Sequence, residues 1–257
     1  MSSSRVEEFI RRLNLDPERV AALKQSKRIL AISPHPDDTE IIAGGFLALA
    51  VRNGAQVRAV VVSDDRMSFT AIPPNLGMEE IATIRKREER DAMNILGVKD
   101  FEFLEYIDSQ VPSPEVLSGH LIRIERRYQP DLVVTVDPFL PYEAHPDHLN
   151  TGRSVMQAVL FHEYPYIVKE AEVKSKPPTL ALGGTASPNA ILPIDDTIEE
   201  KLKSILAHTS QFPNREETEN RIRSVSSALG KAAGCRYGEA FKVLLPGEIH
   251  LDPFASL

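Results

Sequence analysis

Short apolar runs alternate along the chain with longer amphipathic ones. RILAIS (28–33), QVRAVVVS (56–63), FEFLEY (101–106) and DLVVTV (131–136) have the length and bounding turns of buried strands. Between them, IIAGGFLALAVRNGA (41–55), EEIATIRKREERDAMNILG (79–97) and PEVLSGHLIRIERRY (114–128) carry apolar residues at helical spacing, with Gly54 and Gly97 placed as C-caps. This alternation predicts right-handed βαβ units and an α/β fold: one domain with a mostly parallel, Rossmann-like sheet flanked by helices. Residues 4–26 read as one or two amphipathic helices broken near Asp16-Pro17. Later, 149–165 reads as a helix, 179–184 and 190–194 as a strand pair, and 215–232 and 239–245 as a last helix and strand. The segment 195–212 reads as a further helix, with Thr197 and Glu200 fitting a capping box. No linker rich in Gly, Ser or Pro divides the chain, so the expected unit is 1–257, with a helical extension at 1–27 and a tail at 246–257.

Composition narrows the class. Hydrophobic residues make up 42% and charged residues 26% of 257, ordinary for a globular protein. A net charge of −7 argues against a nucleic-acid or anionic-membrane partner. Cys235 is the single cysteine, so an intrachain disulfide is impossible and a reducing compartment is expected. The N-terminal segment is charged and lacks the apolar region of a secretory signal, and no run reaches the ~18 apolar residues of a membrane span. A soluble, cytoplasmic protein is the expectation.

Two segments carry chemistry. AISPHPDD ends the first predicted strand with His35, Asp37 and Asp38; DPFLPYEAHPDH ends the fourth with His145 and His148. In parallel sheets, ligands sit beyond the carboxyl ends of the strands, so segments about 100 residues apart in sequence can meet there. His35 and Asp38 are three apart on a turn stiffened by Pro36. With a third ligand from His145 or His148 they form the mixed nitrogen and oxygen set that suits zinc. Asp37 is then left to act as general base, and the remaining histidine to donate to an oxyanion. One His-Pro-Asp-Asp alone is most often a solvated turn; two His-Pro-Asp tripeptides at the ends of parallel strands are not. A phosphoesterase would want two ions ~3.5–4 Å apart, and the ligands suffice for one. A nucleotide-binding module would need the G-x-G-x-x-G loop that is missing after the first strand. His120, His162 and His208 sit in helical patterns and read as structural or solvent-facing, and Cys235 as a small buried hydrophobe.

PHPDD followed by a later HPDH resembles the GlcNAc-phosphatidylinositol de-N-acetylase (LmbE-like) family of metal-dependent deacetylases. DPFLPYEAHPDHLNTG and RYGEAFKVLLPGEIHLDPF resemble its archaeal diacetylchitobiose deacetylases in particular, from about residue 28 to the C-terminus. The resemblance implies that His35, Asp38 and His148 hold one zinc ion, that Asp37 is the general base, and that His145 polarises the amide carbonyl and steadies the oxyanion. It further implies that Arg85 and Asp108 contact the sugar and that His250 enters a neighbour's active site in a homo-oligomer, a trimer or hexamer. The implied substrate is an N-acetylglucosamine unit, at the non-reducing end of N,N′-diacetylchitobiose or free, with another N-acetyl amino-sugar conjugate as the alternative. Read from the residues alone, Arg85 belongs to a solvated i,i+4 pair with Glu89, Asp108 to a turn and His250 to the surface. Thr39 stands where many members of the family have Glu, and the loop SDDRMSF lacks their usual Gly, which bears on the sugar pocket held by residues 64–70.

Overall fold

Period-two alternation along β1 (Arg28–Ser33) sorts its apolar residues onto two faces. Ile29 and Ala31 join one buried cluster with Phe46, Leu47 and Met93; Leu30 and Ile32 join another with Leu117, Leu121 and Val155. A sheet apolar on both faces needs helices on both sides. α3 (Asp38–Arg52), α4 (Met78–Leu96) and α7 (Ile198–Ile205) cover one face, α5 (Pro114–Tyr128) and α6 (Pro146–Phe161) the other. β1 lies parallel to β2 (Gln56–Ser63) on one side and β4 (Leu132–Val136) on the other. β3 (Asp100–Tyr106), β5 (Thr179–Gly183), β6 (Ala190–Pro193) and β7 (Gly238–Leu244) complete the order β3-β2-β1-β4-β5-β7-β6, with β7 antiparallel to both its neighbours. The computed structural model describes residues 3–68, 75–253 and 255, with the backbone alone for 3–6, so part of the 64–70 loop and of the C-terminal tail lies outside the described residues.

Strand order reverses between β1 and β4, and this is the place where an open α/β sheet leaves a crevice. Both His-Pro-Asp segments open there. Each also starts its helix earlier than the apolar period suggested. α3 begins at Asp38, the last residue of its motif, with Asp37 as N-cap, and α6 begins at Pro146, with His145 as N-cap. The N-terminal helices are α1 (Ser3–Arg11) and α2 (Pro17–Gln25), the latter capped by Asp16. The expected strand pair is not one: β7 lies between β5 and β6, because an apolar pattern marks a segment as extended without naming its neighbour. The capping box at Thr197 does not close either. Its hydroxyl donates instead to the carbonyl of Gly45 in α3 (2.8 Å). The helix stops at Ile205, and His208 falls in the turn beyond it.

α7 also steadies the site-bearing end of α3. Lys201 and Glu239, each 3% exposed, form an ion pair of 2.6 Å. Lys201 Nζ donates to the carbonyls of Glu40 and Ile41, and Glu239 accepts the N–H groups of Gly45 and Phe46. Ile41 O and Gly45 N are an i,i+4 pair of the helix, so the ion pair engages its ladder from the side. Gly45 leaves the room for this layer; a Cβ there would lie 2.9 Å from Ile194. Lys201→Met leaves Glu239 buried and uncompensated. It should cost ~3–5 kcal/mol, seen as a lower urea midpoint at unchanged slope; an unchanged midpoint would refute this account.

Candidate metal centre

The chain leaves β1 at Ser33, turns through Pro34–Asp37 and enters α3 at Asp38, whose Oδ2 accepts the N–H of His35 (3.0 Å). From β4, the loop 137–144 delivers His145 as N-cap of α6 and His148 within its first turn. The two ends meet. His35 Nδ1 lies 3.3 Å from His148 Nε2 and 3.4 Å from Asp38 Oδ2, and His148 Nε2 lies 3.5 Å from Asp38 Oδ2. A tetrahedral zinc ion with bonds of about 2.0–2.1 Å holds its ligands roughly 3.3–3.4 Å apart, so this triangle fits one ion.

The outer contacts decide which atoms face the centre. His35 Nε2 meets Asp147 Oδ2 (3.2 Å) and Asp108 Oδ1 (3.4 Å) and therefore carries a proton, so Nδ1 is the nitrogen that faces the triangle. His148 Nδ1 meets Glu143 Oε2 (3.2 Å), leaving its Nε2 lone pair inward. Carboxylates behind ligating imidazoles are the usual support of a metal site. Asp147 is fully buried and also accepts the N–H of Ser109 and Val111, so it is occupied as a support. Burial opposes a charge on His35, yet Asp108, Asp147 and Asp38 hold its pKa well above the ordinary value. Burial likewise opposes the Asp38 carboxylate, but His35 and His148 hold it below its usual range.

His145 Nδ1 accepts the N–H of Asp147 (3.3 Å), so its proton sits on Nε2. A nitrogen of this ring lies within 4.8 Å of one on His35 and one on His148. Burial, then the neighbouring His35 and His148, lower its pKa and keep it a neutral donor. Asp37 is the N-cap of α3 in the left-handed region, φ 96°, and its Oδ2 pairs with Arg85 at 2.7 Å. Burial pushes its carboxyl up to about 8 against the pull of Arg85.

Several residues sit differently from the reading of the sequence. Arg85 is not a solvated helix residue but is 0% exposed. Its N–H groups go to Asp37, Asp65, Glu88 and the carbonyl of Pro36, with His208 and Ser210 3.3 Å from NH1. Asp108 is buried and engaged by His35, the N–H of Met67 and the hydroxyl of Ser109. His250 is exposed near the C-terminus. Asp65 braces Arg85, and Arg66 pairs with Asp64 and Glu79. His208, read as a structural or solvent-facing helix residue, lies beyond the end of α7 and is fully buried behind Asp37 with Glu40 and Glu89. Ligand atoms of these three lie within 4.8 Å of one another. Arginine can only donate, so His208 Nδ1, 3.3 Å from Arg85, accepts and Nε2 carries the proton; Nε2 faces the two carboxylates without a hydrogen bond and has no lone pair to offer a second ion. Asp147 was legible as the acid of the second His-Pro-Asp; nothing local marked Glu143, Glu89 or His208.

Comparison with known proteins gives the family of the chain. The model of the family described as GlcNAc-PI de-N-acetylase (PIG-L) matches residues 30–159. Diacetylchitobiose deacetylase of Thermococcus kodakarensis is 32% identical over 237 residues, covering 90% of this chain and 88% of that protein. A Bacillus anthracis protein named probable N-acetyl-alpha-D-glucosaminyl L-malate deacetylase 2 is 27% identical over 204 residues, 75% of this chain and 85% of that one. The solved structure of N,N′-diacetylchitobiose deacetylase from Pyrococcus horikoshii, complexed with its inhibitor MPG, matches with a TM-score of 0.85 at 35% identity, over 99% of this chain and 97% of that chain. The chain belongs to the GlcNAc-PI de-N-acetylase family.

Proposed function

We propose that this protein is a zinc-dependent N-deacetylase that removes acetate from an N-acetylglucosamine unit, at the non-reducing end of N,N′-diacetylchitobiose or in the free sugar. The observation that carries this is the triangle of His35 Nδ1, Asp38 Oδ2 and His148 Nε2, with edges of 3.3–3.5 Å and a spare acid one residue away. These three atoms would hold the ion. Zinc, when bound, polarises a carbonyl and makes water nucleophilic at neutral pH. Asp37 takes a proton from the attacking water as the water oxygen adds to the acetyl carbonyl carbon. His145 donates its Nε2–H to the carbonyl oxygen as that atom gains negative charge. The carbon–nitrogen bond then breaks, and Asp37 passes its proton to the departing amine, giving acetate and a free amino sugar. Another N-acetylglucosamine conjugate is the second reading, supported by the name of the Bacillus relative and by the Asp65 and Arg66 pairings after β2. No described helix is long and apolar enough to cross a membrane; the proposed partners are a small amino sugar and further copies of the chain, in the cytoplasm.

Asp37→Asn should bind zinc within about threefold of the parent and lose ~10²–10⁴-fold in kcat for acetate release. Turnover at the parental rate would remove the base role. Zinc binding should also release protons. Metal-free His35 is held charged by its carboxylates, and the ion needs the Nδ1 lone pair, so apparent affinity should climb with pH by about tenfold per unit for each proton lost, up to the raised pKa. Calorimetry in buffers of different ionisation enthalpy measures this; zero proton release at pH 7 would contradict it. If exposed His250 serves a neighbour's site, light scattering should give a trimer or hexamer. His250→Ala should then lower kcat/KM about tenfold, one hydrogen bond's worth, without loss of zinc. A fully active monomer would exclude that role.

A further inference from the structure

Asp37 holds a backbone conformation that its own sequence does not favour. A helix N-cap normally lies in the β region, with its side chain accepting an N–H from the first turn. Asp37 has φ 96° and ψ −27°, and its side chain makes no cap hydrogen bond. Such a residue costs about 1–3 kcal/mol and persists only where its surroundings over-determine it.

α4 supplies that determination from two residues one turn apart, which project from the same helix face. Arg85 NH2 donates to the carbonyl of Pro36 and to Asp37 Oδ2, each at 2.7 Å. Glu89 Oε2 accepts the N–H of Asp37 at 3.1 Å. The peptide entering Asp37 is therefore held at its carbonyl and at its N–H, and the side chain beyond it is held as well. Glu89 is fully buried, and its oxygen lies 3.7 Å from His208 Nε2, which is also 3.4 Å from Glu40 Oε1. A carboxylate buried without a full ion partner is costly, and an apolar residue of the same size would pack there more cheaply.

We propose that Glu89 is a positioning residue for the general base: by accepting the Asp37 N–H it holds the left-handed peptide that aims the Asp37 carboxylate. The inference rests on the role of Asp37 proposed above and gives Glu89 a part that never touches the substrate.

The test compares Glu89→Met, which keeps the volume and removes the acceptor, with Glu89→Gln, which keeps an acceptor oxygen. Should the Met variant fail to fold, Glu89→Asp takes its place, since it withdraws the acceptor by one methylene. kcat, KM, zinc content, melting temperature and exchange of the Asp37 amide hydrogen, read by NMR with isotope-labelled aspartate, are measured for each. The expected result is a kcat lowered ~10–100-fold in the Met variant, the scale of an ångström-sized misplacement, with KM and zinc content within about threefold. The Asp37 amide should exchange faster in that variant, and Gln should restore both kcat and protection. An unchanged kcat, an equal loss in Gln and Met, or a parallel loss of zinc and KM would overturn the proposal. If the parent protein releases no acetate from any N-acetyl sugar, yet Met removes and Gln restores amide protection at Asp37, the clamp stands and the assigned reaction falls.

Discussion

Two imidazole nitrogens and a carboxylate oxygen must be kept 3.3–3.5 Å apart if one cation is to be shared among them. That requirement organises most of what surrounds the site. Each ring must present a chosen nitrogen, so each has an acid behind it: Asp147 and Asp108 for His35, Glu143 for His148. Those acids need donors of their own: the N–H groups of Ser109 and Val111 serve Asp147, that of Met67 serves Asp108 and that of His145 serves Glu143. The arrangement is a chain of obligations that runs from the ion outward to main-chain amides.

The same logic applies to Asp37. The carboxylate proposed as the base is turned toward Arg85. Arg85 is in turn fixed by Glu88, which accepts from Thr209 and from the N–H and hydroxyl of Ser210. Glu40, Glu89 and His208 fill the space behind. Burial raises Glu40 and Glu89 to about 8 each and lowers His208. So many buried ionisable groups are a poor way to stabilise a fold, since buried ion pairs are often matched or exceeded by apolar residues. Their concentration at one crevice is what a functional site exacts from the rest of the core.

The fold places this machinery at the point of strand-order reversal, with β1 and β4 as neighbours. The helices that follow these two strands start inside the motifs, so Asp38 and His148 ride on first helical turns, while His35 and Asp37 lie on the short turn between β1 and α3. α7 then secures the backbone of α3 through Lys201 and Glu239, a few residues beyond Asp38. Placement by rigid elements keeps ligand and base in register, which a flexible turn would not.

By itself the sequence determined the element types, the parallel sheet and the two segments whose side chains could share an ion. Those properties are local: apolar period, turn residues and the identity of His35, Asp38, His145 and His148 are all read along the chain. Read from the residues alone it put Arg85 in a solvated pair and Asp108 in a turn, because their chemistry was visible along the chain and their burial was not. Tertiary structure alone decided that β7 would separate β5 from β6, that Arg85 would spend its donors on acids, and that His208 and Glu89 would stand behind Asp37. These outcomes depend on which helix faces packs against which, and on which nitrogen of each imidazole finds a carboxylate. The Asp37–Glu89 contact joins residues 52 positions apart and the His208–Glu40 contact residues 168 apart, and no periodicity along the chain encodes them.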